Sequence, residues 1–170
     1  YDLGPAGNML YPVGDAPIFR SMLPKTTGIR IFPKMFKLLN PYLYNPDGEM
    51  LPKYARTMHF RCSVRDNRAG GGGVSFNDSL VVVDVINTVD SFAVSCFNTP
   101  YINILGGSYQ TITWDIAQSN AAPINCQKVN ILYSIDNAVT FQTLVANTDN
   151  DGSEVVVIPN VATTKARIIV

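Results

Sequence analysis

Eight prolines fall within the first 57 residues of this 170-residue chain: Pro5, Pro12, Pro17, Pro24, Pro33, Pro41, Pro46 and Pro52. Each fixes φ at about −65° and removes a backbone N–H donor, so this segment can hold neither a long helix nor a central strand. At most one short helix is allowed, over Pro33-Lys34-Met35-Phe36-Lys37-Leu38-Leu39-Asn40. There a proline opens the helix and Asn40-Pro41 stops it. The rest of the segment is predicted as an ordered loop laid on a sheet, anchored by Leu10, Tyr11, Ile18, Phe19, Ile31 and Phe32.

From residue 58 the pattern changes to strands. Met58, Phe60, Cys62 and Val64 alternate with His59, Arg61, Ser63 and Arg65, which predicts one strand with Cys62 on its apolar face. Asp66 to Gly73 reads as a turn whose glycines permit positive φ. Ser79 to Ile86 is apolar on both faces and is predicted to be a central or covered strand. Asn87 to Asp90 is a linker. Beyond it, Tyr109 to Ile116 places Ile112, Trp114 and Ile116 inward, and Val129 to Ile135 places Val129, Ile131, Tyr133 and Ile135 inward. Phe92 to Val94, Phe141 to Val145, Val155 to Ile158 and Ala166 to Val170 add further strands. Short strands at regular spacing, with turn residues between them, predict an all-β chain. The fold expected is two tandem Ig-like or fibronectin-III-like β-sandwich modules, residues 1–88 and 89–170, the first carrying the long proline-rich insertion.

Thirteen basic and thirteen acidic side chains give a net charge of zero. Nucleic-acid binding needs a basic stripe that displaces counterions, and a polybasic membrane anchor needs one too; neither partner is expected. No apolar run reaches the length of a membrane-spanning helix. Cys62, Cys96 and Cys126 lie far apart in sequence, with no C-x-x-C pair for zinc or redox work. Whether Cys96 and Cys126 are paired is open at this level. The chain opens on Tyr1-Asp2-Leu3 and closes on Ala166-Arg167-Ile168-Ile169-Val170, which reads as mid-strand. The sequence is therefore expected to be a segment of a longer protein, its first module lacking N-terminal strands and its second lacking the last one.

Two blocks carry a family resemblance. Arg61-Cys62-Ser63-Val64-Arg65-Asp66-Asn67-Arg68-Ala69-Gly70-Gly71-Gly72-Gly73, followed by Asn77-Asp78-Ser79 and the valine strand, resembles the closing hairpin of PKD/REJ-like Ig-type domains. Tyr1-Asp2-Leu3-Gly4-Pro5, Gly14-Asp15-Ala16-Pro17-Ile18-Phe19-Arg20 and Leu51-Pro52-Lys53-Tyr54-Ala55-Arg56 are similar to the same domain in secreted reprolysin-like zinc metalloproteases of Bacteroidetes. Gly106-Gly107-Ser108-Tyr109-Gln110-Thr111-Ile112-Thr113-Trp114-Asp115, Asn120 to Cys126, Asn150-Asp151-Gly152-Ser153 and Ile158-Pro159 resemble the Ig-like module that follows in those proteins. The resemblance implies a secreted or cell-surface location, C-terminal to a catalytic domain on the same parent chain. It implies a spacer that engages substrate or surface. The alternative is a cell-surface adhesin that binds host protein or glycan. It does not imply catalysis here: a metzincin site needs H-E-x-x-H plus a third histidine, and this chain has one histidine, His59.

The remaining candidate sites are each weighed against a structural role. Asp66, Asn67 and Asp78 flank the glycine turn and offer hard oxygen ligands for calcium; the alternative is Asx-type turn hydrogen bonds. Asp149, Asp151 and Glu154 raise the same pair of readings. Gly70 to Gly73 lack the following helix and Lys-Ser/Thr pair of a phosphate loop, and are read as a hairpin tip. Arg56, Arg61, Arg65 and Arg68 form a possible basic strip. Tyr42 and Tyr44 are candidate exposed aromatics, and Trp114 is placed in the core. Asp78-Ser79-Leu80 resembles an O-glycan acceptor with Ser79 as the site, and Asn77-Asp78-Ser79 fits an N-glycan sequon. No resident cofactor is expected beyond this candidate calcium.

Overall fold

Among the described residues, the proline-rich segment forms one short helix, α1 (Met35–Leu39), which buries none of its residues. It ends at Asn40, whose backbone N–H and side-chain Nδ2 both donate to the Phe36 carbonyl, at 3.1 and 2.9 Å. All other regular structure among the described residues is antiparallel strand. The computed structural model describes residues 1–9, 11–23, 28–40, 49–88 and 90–170, which divide into two units, Tyr1–Asn87 and Thr88–Val170. The predicted aromatic pair Tyr42 and Tyr44, and the loop anchor Leu10, lie outside the described residues.

In the first unit, β1 (Asp2–Leu3), β2 (Arg56–Phe60) and β5 (Val81–Val85) form a three-stranded sheet in that order. A separate hairpin joins β3 (Ser63–Arg65) to β4 (Val74–Phe76). The core is Ile18, Phe19 and Met58, with Phe60 and Val85 packed on it. Phe19, Phe32 and Phe60 cluster with ring centroids 4.9–5.9 Å apart. The loop therefore covers the sheet through apolar anchors, as the sequence predicted for Ile18, Phe19 and Phe32, whereas Tyr11 and Ile31, predicted as anchors too, are exposed.

Two readings of this unit are corrected. Met58 to Val64 is not one strand: β2 stops at Phe60, and β3 starts at Ser63 in a different sheet. The break carries Cys62 and Val64 out of the core, and both are exposed. Likewise Ser79 to Ile86 is neither central nor covered. Its strand, β5, lies at the sheet edge, paired on one side with β2, and most of it is open to solvent.

The second unit has two three-stranded sheets. One has the order β10 (Ser153–Val157), β7 (Tyr109–Asp115), β6 (Ala93–Val94). The other is β11 (Arg167–Ile169), β8 (Lys128–Ser134), β9 (Gln142–Asp149). Ile112 and Trp114 from β7, Val156 from β10 and Ile131 from β8 share one buried cluster, so the two sheets face each other across it. Ile116, Val129, Leu144, Val145 and Ile168 pack around them. This is a β-sandwich-like arrangement, and along β7 the outward positions Thr111, Thr113 and Asp115 are polar. The predicted inward positions Ile112, Trp114, Val129 and Ile131 hold. Ile135 does not, because β8 ends at Ser134 and a bulge at Val129–Leu132 shifts the register before it.

Candidate functional site

The glycine turn is built around one carboxylate. Asp66 Oδ1 accepts the Arg68 N–H at 3.1 Å and Oδ2 accepts the Gly73 N–H at 3.0 Å. These backbone donors hold the carboxyl below the usual aspartate range. Gly71, at φ 120°, supplies the conformation that closes the tip. Asn77 ties the base: its Oδ1 accepts the Cys62 N–H at 2.7 Å, and its Nδ2 donates to the Ser79 carbonyl. The Asn77 carboxamide is thus committed inside the turn, whereas Ser79 and Asp78 are exposed.

The arginine strip is not continuous. Arg56 is buried, donates to the Ala16 carbonyl and lies 5.6 Å from the Tyr54 ring, so it holds the loop instead of facing solvent. Arg61 lies 5.6 Å from the Phe76 ring. His59 sits on β2 between Leu3 and Val82.

Asp149, Asp151 and Glu154 point to separate tasks. Asp149 pairs with Lys128 Nζ at 2.6 Å, Asp151 accepts the Ser153 N–H at 3.2 Å, and Glu154 accepts from the Thr148 hydroxyl. Among the described residues, no three His, Cys, Asp or Glu side chains gather where a metal ion could be held. None of the described residues assembles a catalytic constellation, and no described helix is long and apolar enough to cross a membrane. Cys62, Cys96 and Cys126 are free thiols.

Three polar networks were not visible in the sequence. Glu49 is fully buried, with φ 53°, and pairs with Arg30 while accepting the Lys34 N–H at 3.3 Å. Asn150 is buried and uses its whole side chain: Oδ1 accepts from Trp114 Nε1 at 2.9 Å, and Nδ2 donates to Ser119 Oγ and the Cys126 carbonyl, both at 2.8 Å. Asp136 gathers the Ser134 and Thr140 hydroxyls, both at 2.6 Å, and the Val139 and Thr140 N–H groups. Those donors, the Ser134 hydroxyl first, push its carboxyl far below the ordinary aspartate range. For Asn150 and Asp136 the only sequence sign was Asp or Asn at a turn, which does not distinguish a turn-former from a hub; Glu49 carried no such sign.

One surface of the second unit is concave. Ile104, Leu105 and Gly106 face Asn160 to Lys165 across an open cleft of about 700 Å³. Its walls are two loops that flank the sandwich strands, joined at their base by Gly107 N–H to the Ile158 carbonyl at 2.8 Å. The lining mixes aliphatic groups with two threonines, one asparagine and one lysine, without a nucleophile–base pair. Compared with known proteins, the chain matches no family model, no curated protein and no solved structure.

Proposed function

We propose that this chain is a non-catalytic accessory region of an exported protein, acting as spacer and as substrate- or surface-engaging module beside a zinc-metalloprotease catalytic domain elsewhere in the parent chain. The PKD/REJ-like and Ig-like assignment of its two modules, and the secreted or cell-surface location, belong to this proposal and rest on the resemblance of the Arg61–Gly73 and Gly106–Asp115 blocks. The observation that carries the reading is where the polar side chains go. Asp66, Asn150 and Asp136 are spent on fixing turns, and the loop cleft at Leu105–Gly106 and Asn160–Lys165 presents aliphatic and hydroxyl groups with a single charged side chain, Lys165. Rigid turns on packed sheets hold loops in a set geometry, which serves recognition.

Peptide mapping of the natural protein upstream of Tyr1 tests this. An H-E-x-x-H helix with a third histidine there makes these units accessory to a protease. A run of further β modules without that motif replaces the proposal with the adhesin reading, in which the cleft loops bind host protein or glycan.

A further inference from the structure

We infer that Asp151–Gly152, in the turn between β9 and β10, is a self-modifying site. The Gly152 nitrogen attacks the Asp151 carboxyl carbon, and the ring so formed reopens to leave an isoaspartyl linkage beside Asn150. The turn supplies what that reaction needs. Asp151 is exposed. Residue 152 is a glycine, with no side chain to shield the attacking nitrogen, and its φ of 97° is one that other residues rarely adopt. The Gly152 N–H donates to no described residue, so no hydrogen bond is lost when the nitrogen gives up its proton. Asp151 Oδ1 accepts the Ser153 N–H at 3.2 Å, which lays the carboxyl over the intervening Gly152 peptide. Asp66 and Asp136 are different: each is ringed by donors, and each is followed by asparagine instead of glycine.

The step needs only the chain and water. The Gly152 nitrogen forms a bond to Asp151 Cγ, the amide proton and a carboxyl hydroxyl leave as water, and a succinimide ring results. Water then adds back at either ring carbonyl. Cleavage of the nitrogen–Cγ bond restores aspartate. Cleavage of the original peptide bond routes the main chain through Cβ and Cγ, which lengthens the backbone by a methylene with no net change in mass. That insertion falls inside a fixed span. On one side Asn150 donates its N–H to the Gln127 carbonyl at 3.0 Å, and its Oδ1 accepts from Trp114 Nε1 at 2.9 Å. On the other side the Gly152 carbonyl accepts the Trp114 N–H at 3.0 Å. Both ends of the turn are tied to the same tryptophan, so the longer backbone gives up one of the two ties.

Ageing the 170-residue chain for weeks in mildly acidic buffer, followed by electron-transfer fragmentation, tests the site, because that fragmentation separates isoaspartate from aspartate position by position. Isoaspartate is expected at residue 151, and the aged fraction should melt about 5 °C lower by Trp114 fluorescence, the shift for one lost hydrogen bond. Asp151→Asn closes the same ring by losing ammonia, and on reopening gains the mass difference between an amide and an acid. Asp151→Glu, whose longer side chain closes rings slowly, stays unmodified there. Aspartate alone at residue 151 of the aged chain, or an Asp151→Asn chain that keeps its mass at that position, overturns the proposal. An isoaspartyl chain that melts with the fresh one overturns the link to Trp114. Should a variant misfold, the aged unmodified chain decides by itself.

Discussion

The two units solve the same problem, covering one face of a three-stranded sheet, with different materials. In the second unit the cover is another sheet. Its strands satisfy their own backbone groups, so the interface needs only side-chain volume, and its buried hub, Asn150, is neutral with every side-chain atom bonded. In the first unit the cover is a loop, whose backbone has no ladder to satisfy it. Side chains do that work: Asp2 Oδ2 accepts the Ile18 N–H at 2.9 Å, Arg56 donates to the Ala16 carbonyl, and Tyr54 Oη donates to the Gly14 carbonyl at 2.9 Å. Asp15 Oδ1 accepts the Thr57 N–H at 3.1 Å. Loop cover thus brings charge into the interior, and Asp2 Oδ1, Arg56 Nε and Arg61 Nε are left buried without partners. A sheet is held on by area; a loop is held on by individual bonds.

This difference can be broken one unit at a time, because the single tryptophan, Trp114, lies in the second unit and reports on it alone. Ile112→Ala has the largest expected effect. Ile112 has no exposed surface, and the truncation leaves a cavity between two rigid sheets, costing about 4 kcal/mol. Urea unfolding followed by Trp114 fluorescence should move by that amount. A shift under about 1 kcal/mol would mean that the sheets collapse onto the gap and are not rigid.

Glu49→Ala comes next. It removes the carboxylate that pairs with Arg30 and accepts the Lys34 N–H, and costs the first unit about 3 kcal/mol; Arg30 keeps some contact with water, which places the loss at the low end for a broken buried pair. Far-ultraviolet circular dichroism should show an early transition while the Trp114 signal stays unchanged. Movement of both signals together would show that the units unfold as one.

The smallest effect is on pH dependence. Asp136 has a folded-state pKa below its unfolded value, so its contribution is full above the ordinary aspartate range and is lost as pH falls through that range and below. The unmodified chain should therefore lose melting temperature in acid faster than Asp136→Asn, measured by Trp114 fluorescence from about pH 6 to pH 3. Parallel curves would show that the turn does not depend on that charge. Asp66→Asn is the matching change in the first unit, where two backbone donors hold the carboxylate and the acid effect is smaller.

How much was legible in the sequence varied with how local the signal was. Alternation in Tyr109 to Ile116 named Ile112 and Trp114 as core, and the Pro33–Asn40 run gave α1, because period and caps are written within a few residues. The cleft was not legible, since Leu105 and Lys165 meet only after 60 residues of chain have returned to the same end. Nor were the hubs: Glu49, Asn150 and Asp136 are ordinary polar residues until burial, or a ring of donors, gives them a task.

The chain's residues by themselves determined the β character, the one short helix, the turns and the alternating core of the second unit. Each depends on φ preference or side-chain period, which neighbours along the chain decide. Tertiary structure alone decided that β5 is an edge, that Cys62 lies outside the core, and that Arg56 turns inward. These depend on which strand pairs with which, and a run of valines reads the same whether a neighbour covers it or leaves it open.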